Sequence, residues 1–440
     1  MSFSSLYTMI IKYLQGAIVF LLACMSLQCS STHDLTEKEE EANYTFGEKK
    51  YVKPAEEIED LPLTKSQRRY FSTLSKQAYT ALGKRINVNP NNHLLSPIGF
   101  HILSAMCEPL VDDQRYITAL SGLSDVSPDS RQALQTLSAS VIKSLPALDK
   151  TSDIFFVNMA VLFHEKEQDL SQIHFPDGYS EIIDKYYDGL LAEGPRTDDF
   201  ITKLSEWARY YSSGKVPLPY FLSTVDCLSM MYFSAPWAEG FNPKDTQIRP
   251  FWTADKTCKE LPTMHKEGYF DILQHEYYTA IKLPLGNHSK ISVVVTIPHD
   301  DIAILTLLNE LSENGMEDAF CTRRAQLFLP VIHIDSMAYL DDFCPTLSTV
   351  LAESSFFSQF LNDDASDYTL TQKLTIDWNE AGIQASSLSE SGQPETSSED
   401  SFPDQEEELF VDINRPFIFT VQVEGLDIAL FCGYYGGEET

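Results

Sequence analysis

The second half of this chain is a succession of short apolar runs, rich in β-branched and aromatic residues and bounded by glycine, proline or asparagine. "CLSMMYFSAPW", "YYTAIKLPL", "KISVVVTIP", "AQLFLPVIHI", "KLTIDW", "PFIFTVQVE" and "DIALFCGYY" all have this form, and each reads as strand. Ahead of them the period is different. In "SQRRYFSTLSKQAYTALGKRI" the residues Phe71, Leu74, Ala78 and Leu82 recur at helical spacing. "NHLLSPIGFHILSAMCEPLV" passes from a short strand through a Ser-Pro break into a second helix, and "FITKLSEWARYYSSGKV" gives another that ends at its serines and glycine. Helices early and strands mostly late favour an α+β fold over a doubly wound sheet. With 440 residues, 43% of them hydrophobic, the chain can bury a large core.

One tract interrupts this order. Between Asn379 and the strand at Pro416 runs "NEAGIQASSLSESGQPETSSEDSFPDQEEELFVDINR", small and acidic, without a core-forming period. By composition alone it is a solvated low-complexity loop. The whole chain carries a formal charge of −32, from 64 acidic against 32 basic residues, which repels polyanions and argues against a nucleic-acid partner.

The N-terminus reads "MSFSSLYTMIIKYLQGAIVFLLACMSLQCSS", with one cation at Lys12, an apolar run from Ala17 to Met25 and two cysteines, the pattern of an export signal. The run is shorter than the roughly 20 residues of a membrane span. "LLAC" and "SLQC" both resemble a bacterial lipoprotein box, so residues 1–29 read as signal and Cys29, or alternatively Cys24, as the acylated anchor. Two or more acyl chains hold stably where one does not. Residues 30–62 are charged and poor in large apolar side chains, an acidic flexible tether, and the folded domain begins at 63 and runs to 440. The expected location is the cell envelope or cell surface, or the exterior if the signal is simply cleaved. The six later cysteines lack metal or CxxC spacing, so buried thiols are expected, with pairing left open.

No G-x-S-x-G elbow, phosphate loop or H-E-x-x-H motif is present. "HEKEQ" at His164 and "HEYY" at His275 lack the second histidine one helical turn on, and the sequence assigns no metal ligand and implies no cofactor.

Taken together, the segments from about residue 66 to 436 resemble the serpins. The likeness rests on nine segments in family order: "NHLLSPIGFHILSAM", "SEWARYYSSGKV", "SMMYFSAPWAEGFNPKDTQIRPFW", "LPTMHKEGYF", "AIKLPL", "ISVVVTIP", "LPVIHID", "WNEAG" and "NRPFIFTVQ" ahead of "IALFCGYY". The resemblance implies a layer of helices with three β-sheets and an exposed reactive-centre loop over about 382–408. It implies a monomeric inhibitor of serine, or cysteine, endopeptidases and not an enzyme. In such a protein the protease cuts the loop, and the freed arm inserts into the central sheet while the acyl-enzyme is still attached. Strand addition and the release of stored strain drive it, and serpin loop insertion is a standard example of both.

Gly382 falls at the family's hinge. Counting from it, Ile383, Ala385, Ser387 and Ser389 would face the core on insertion, while Gln384, Ser386, Leu388 and Glu390 would face outward. None of the inward four is charged, and an unpaired buried carboxylate there would oppose insertion. Ile383 and Leu388 depart from the family's small residues. The polar cluster that gates the sheet maps onto Ser96, Gly99, Ser229 and Gln372, of which only one position keeps the family residue, and Trp237 matches the tryptophan at the sheet's upper end. These departures motivate an alternative, a non-inhibitory binding or structural module that uses the acidic loop.

The family's count from the hinge places the scissile bond at Thr396-Ser397, and a count back from Pro416 places it near Phe402 to Gln405. No basic residue lies between Lys373 and Arg415, which argues against a trypsin-like target. Elastase-like, Glu/Asp-specific or chymotrypsin-like proteases remain, with Glu395, Glu399 and Asp400 as acidic candidates.

Overall fold

A computed structural model describes residues 49–113, 115, 116, 120, 131–164, 173–216, 221–287, 290–316, 319–362, 365–384, 408–426 and 428–437, all within the unit Phe46–Thr440. The first helix, α1 (Lys65–Val88), opens on a capping box in which Thr64 accepts from the Gln67 amide and the Gln67 side chain accepts from the Thr64 amide. Its apolar face buries Phe71, Leu74, Ala78 and Leu82, as the spacing predicts. A short strand β1 (His93–Leu95) leads to α2 (Pro97–Cys107), which starts with Ser96 as N-cap and Pro97 in its first turn. Then come α3 (Arg131–Ser144), β2 (Asp153–His164), α4 (Tyr179–Tyr187), β3 (Leu190–Pro195), α5 (Asp198–Tyr211) and β4 (Val225–Pro236).

From there the chain is mostly strand: β5 (Gln247–Trp252), β6 (Cys258–Gln274), β7 (Tyr278–Leu285), β8 (Ile291–Pro298), then α6 (Ile304–Asn314), β9 (Cys321–Pro330) and β10 (Ile332–Tyr339). The remaining elements are α7 (Leu340–Phe343), α8 (Pro345–Glu353), β11 (Leu361–Asn362), β12 (Ala365–Ser366), β13 (Tyr368–Asn379), β14 (Gly382–Gln384), β15 (Leu409–Asp412), β16 (Phe417–Val423) and β17 (Ile428–Tyr435). They form a 6-stranded sheet in the order β10-β13-β14-β4-β2-β3, a 9-stranded sheet built on β17, β16, β8, β7, β6 and β9, and the 2-stranded β11-β12 ribbon. The α+β fold expected from the sequence is what the chain adopts; of the three sheets the resemblance implies, the described residues form two large ones and a two-stranded ribbon.

"AQLFLPVIHI" looks like one strand, yet it serves two sheets. Pro330 ends β9 in the larger sheet, the Val331 amide donates to the Pro262 carbonyl, and β10 starts at Ile332 in the smaller one. Apolar periodicity reports burial and cannot report which sheet does the burying.

Strand β2 has two buried faces. Ile154, Phe156, Ala160 and Leu162 join the main core. Phe155 and Phe163 point the other way, and α5 covers that face, with Phe200 set edge-on against Phe163. The segment read as tether is anchored here from Lys49 onward. The Tyr51 amide donates to the Tyr211 carbonyl at 3.1 Å, its hydroxyl donates to the Ile154 carbonyl, and its ring stacks on Phe155 at 4.5 Å. Lys53 donates to the carbonyls of Lys150 and Ser152 and pairs with Asp153, the Ile58 amide reaches the Ala147 carbonyl, and Leu61 is buried. The tether boundary at 62 is therefore too late. A low density of apolar residues suffices because two of them, Tyr51 and Leu61, pack against the folded domain.

Cys107, Cys227 and Cys432 are buried thiols, Cys344 is half-buried, and Cys258 and Cys321 are exposed on strand ends, against the expectation of burial. All six are free.

Candidate functional site

The site is a fork in the six-stranded sheet. At its lower end β13 and β4 pair directly and in parallel, from Tyr368 opposite Val225 to Lys373 opposite Met230. At its upper end they are held apart by β14, antiparallel to both. Ile383 sits opposite Trp378 on one side and Ala235 on the other, and Gln384 sits opposite Asp377 and Ser234. The start of the acidic tract is thus already a strand.

The turn that reverses the chain into β14 is fixed by its neighbours. The Ala381 amide donates to Asn379 Oδ1, the Trp237 amide to the Ala381 carbonyl, the Phe241 amide to the Glu380 carbonyl and Thr246 Oγ1 to Glu380 Oε1. Trp237 adds an indole N–H to the Asn379 carbonyl at 2.7 Å. Gly382 has φ of +152°, and a Cβ there would lie 2.3 Å from the Ala235 carbonyl oxygen. Only glycine fits both the backbone and the space.

Ile383, which the family comparison marks as a bulky departure, is fully buried among core residues. Its branched side chain is a core contact, worth about 1.5–3 kcal/mol relative to exposure. Ala385, Ser386, Ser387, Ser389, Thr396, Ser397 and Phe402 lie outside the described residues, as do Cys24 and Cys29. The chain re-enters at Glu408, which accepts from Gln326 and pairs with Arg324, and β15 then runs parallel to β9 at the edge of the other sheet. Asp412 pairs there with Arg249 at 2.8 Å.

The residues onto which the resemblance maps the gate meet, but in a different wiring from a network across the β13-β4 seam. Gln372 and Ser229 are register partners, both buried. Gln372 turns to α2, accepting from the Ser96 amide at 3.3 Å and donating to the Ser96 carbonyl at 3.1 Å. Ser96 Oγ is occupied in accepting from the Gly99 amide. A Cβ on Gly99 would come within 3.2 Å of the Gln372 amide nitrogen, so the bare glycine is what admits the longer glutamine. Ser229 turns the other way, donating to Asn158 Oδ1 on β2 at 2.9 Å, and Asn158 donates to the Tyr187 carbonyl at 2.8 Å. Each lip of the seam is tied to its own side, and no described hydrogen bond joins Gln372 to Ser229.

Sequence reasoning missed Asn158. The available signal was a single amide inside "FFVNMAVLF", an otherwise apolar strand whose lone polar group must find partners. Asn158→Ala should leave the Ser229 hydroxyl and the Tyr187 carbonyl buried without that partner and lower stability by about 1–3 kcal/mol. Denaturant unfolding of the two proteins measures it.

At the foot of the directly paired region Asp226 sits opposite Thr369, accepting from the amides of Leu222 and Ser223. Burial pushes its carboxyl up to about 7 from 3.8, outweighing those donors and Arg196, with Asp367 adding to the rise. Between those values the folded chain holds a proton that the unfolded chain has shed, so this group's contribution to unfolding free energy falls as pH rises through the window. His101, buried and pushed down to about 3, acts with the opposite sign below its ordinary 6.5. Because Asp226→Asn removes only the first effect, the melting-temperature gap between wild type and variant should shift toward the wild type on going from pH 8 to pH 5.

The six-stranded sheet thus holds Gly382–Gln384 between two strands that part above and pair directly below. The sequence model described as Serpin (serine protease inhibitor) matches residues 76–435, and the chain belongs to the serpin family. The human plasma serine protease inhibitor is 23% identical over 171 residues, 37% of this chain, a match spanning 41% of that relative's length. Among solved structures, the thermophilic serpin Tengpin in its native state superposes with a TM-score of 0.66 at 14% identity, covering 87% of this chain and 97% of that one. Serpin48 of the insect Tenebrio molitor gives 0.64 at 15% identity, over 86% of this chain and 100% of that one. Mouse protein-Z dependent protease inhibitor gives 0.66 at 14%, over 85% and 98%. At these identities the superpositions establish the fold.

Proposed function

We propose that this protein is a suicide-substrate inhibitor of serine endopeptidases that traps its target by inserting the cleaved loop as a full strand between β13 and β4. The observation that supports it is the hinge. Gly382–Gln384 already occupy that strand position in register with both neighbours. Continuing the register, Ala385 meets Ile376 and Phe233, Ser386 meets Thr375 and Tyr232, and Ser387 meets Leu374 and Met231, none of which are paired across the seam. From Leu388, opposite Lys373 and Met230, each further residue must replace a direct β13-β4 pairing. Insertion therefore has a short free run followed by an unzipping stage, and Ser389 reaches the Gln372-Ser229 pair one step into that stage.

The inward residues Ala385, Ser387 and Ser389 bring no charge to the core side. The outward face is less open than its alternation suggests. Glu390 arrives between Thr371 and Leu228, both buried, on the face that α5 occupies, so its carboxylate reaches water only as that cover lifts.

The target's nucleophile attacks the scissile carbonyl and becomes an ester, the new amine end departs, and the acylated arm is drawn into the sheet. Distortion of the protease then competes with hydrolysis of the ester. Thr396-Ser397 is the preferred bond, with Phe402 as the other candidate. The absence of Lys and Arg from 374 to 414 selects against trypsin-like pockets and leaves elastase-like, Glu/Asp-specific or chymotrypsin-like ones. The reading includes export and a lipid anchor at Cys29, or at Cys24, which would display the inhibitor on a membrane.

The test is to mix the protein with one protease of each kind, denature in SDS and look for an adduct, mapping the cut by mass spectrometry. An adduct supports trapping and names the bond. Clean cleavage by every protease, with no adduct and no rise in melting temperature, would overturn it in favour of the binding module.

A further inference from the structure

At the far edge of the six-stranded sheet, away from the loop, three ligand-bearing side chains converge. β3 is the edge strand and pairs in parallel with β2, Leu162 opposite Glu193 and His164 opposite Pro195. Register partners and residues two apart share a face, so Glu193 and His164 project to the same side of the sheet. The segment entering α4 brings a third group. The Phe175 amide donates to Glu193 Oε1 at 2.7 Å, and the Phe175 ring is wedged against Phe356 and Tyr179, which places His174 over the same spot.

His174 Nδ1 lies 2.7 Å from Glu193 Oε2, and His164 Nε2 lies 3.9 Å from the same oxygen. All three ligand atoms fall within 4.8 Å of one another. His164 Nε2 is buried and has no hydrogen-bond partner, so one nitrogen of the cluster is aimed inward without a donor or acceptor to meet it.

We propose that His164, His174 and Glu193 form a binding site for a divalent transition-metal ion, with zinc the best match. Two imidazoles and one carboxylate are a known zinc donor set, bonded at about 2.0–2.2 Å in tetrahedral geometry. Such an ion separates its ligands by roughly 3.3 Å. The observed spacings bracket that value, so binding opens the His174-Glu193 contact slightly and draws His164 in. Water completes the fourth position. The ion gives the orphan His164 nitrogen a partner. A bound ion would staple three pieces that are distant in sequence: the end of β2, the edge strand β3 and the entry to α4. The sequence search found "HEKEQ" at His164 and set it aside because helical spacing was the criterion. Here strand pairing supplies the second and third ligands.

Isothermal titration of the full-length chain with zinc chloride tests it, together with the visible absorption of the cobalt(II) form. Expected are one ion per chain, a cobalt spectrum with nitrogen and oxygen ligands, a rise in melting temperature with zinc, and affinity losses of at least about tenfold for each of His164→Ala and His174→Ala. Glu193→Gln should weaken binding while keeping the Phe175 contact. Cys258→Ser with Cys321→Ser should leave it unchanged, since those are the exposed thiols among the described residues. No stoichiometric binding, binding indifferent to both histidine variants in proteins that melt as the wild type does, or a thiolate charge-transfer band lost with the cysteines would each overturn the proposal.

Discussion

Gly382→Ala should turn the proposed inhibitor into a substrate. The new methyl group would sit 2.3 Å from the Ala235 oxygen and 2.6 Å from Pro236 Cα, on a backbone whose φ is +152°. Strain at such a position is about 1–3 kcal/mol, and expelling the hinge instead forfeits the burial of Ile383, about 1.5–3 kcal/mol. Either way the first inserted residues are destabilised relative to the free loop. Insertion races against hydrolysis of the acyl-enzyme, and each 1.4 kcal/mol is about a factor of ten in rate. A loss near 3 kcal/mol therefore slows insertion on the order of a hundredfold. With a protease that forms an adduct with the wild type, the variant should give mostly cleaved chain and active protease. Adduct at the wild-type level would mean that the hinge is not where insertion starts.

The second large effect compares neighbours. Ser389→Glu places a carboxylate on the core side, between Gln372 and Ser229, which are 2% and 1% exposed. Both are already committed, one to Ser96 and the other to Asn158. A buried carboxylate without a partner costs several kcal/mol, and insertion should stop after Leu388. Leu388→Glu adds the same charge one residue earlier, where the register sets it on the opposite face beside Lys373. Ser389→Glu should abolish both the adduct and the rise in melting temperature on cleavage, whereas Leu388→Glu should keep both. Equal behaviour of the two would refute the register drawn through Ile383.

Much of this was legible in the sequence, and the exceptions have physical causes. Gly382, Ser96, Gln372 and Trp237 could be placed because ordered segments fix a topology, and the topology fixes what meets at the fork. Ile383 reads in the sequence only as a departure from the family's small residues, since a count along the chain says which face a residue takes but not that it is buried among core side chains there. The gate's wiring was hidden because a buried amide's choice among partners depends on angles that spacing does not encode. Gln372 prefers α2, and Ser229 prefers Asn158. Linker composition misled for a related reason: Tyr51 is one residue in a charged run, and its site is built by Phe155 and Tyr211, more than 100 positions on.

That aromatic anchorage has a mechanical side. Lys49, paired with Asp184 and Asp188, lies two residues before Tyr51. Tyr51 grips α5 through the Tyr211 carbonyl and β2 through the Ile154 carbonyl and the Phe155 ring. A pull along this segment is thus delivered to α5 and to β2, the strand next to β4, on the face where Glu390 of the proposed incoming arm would lie. A chain held at a surface and tugged by a moving protease would feel tension where the lid over its own spring is fastened.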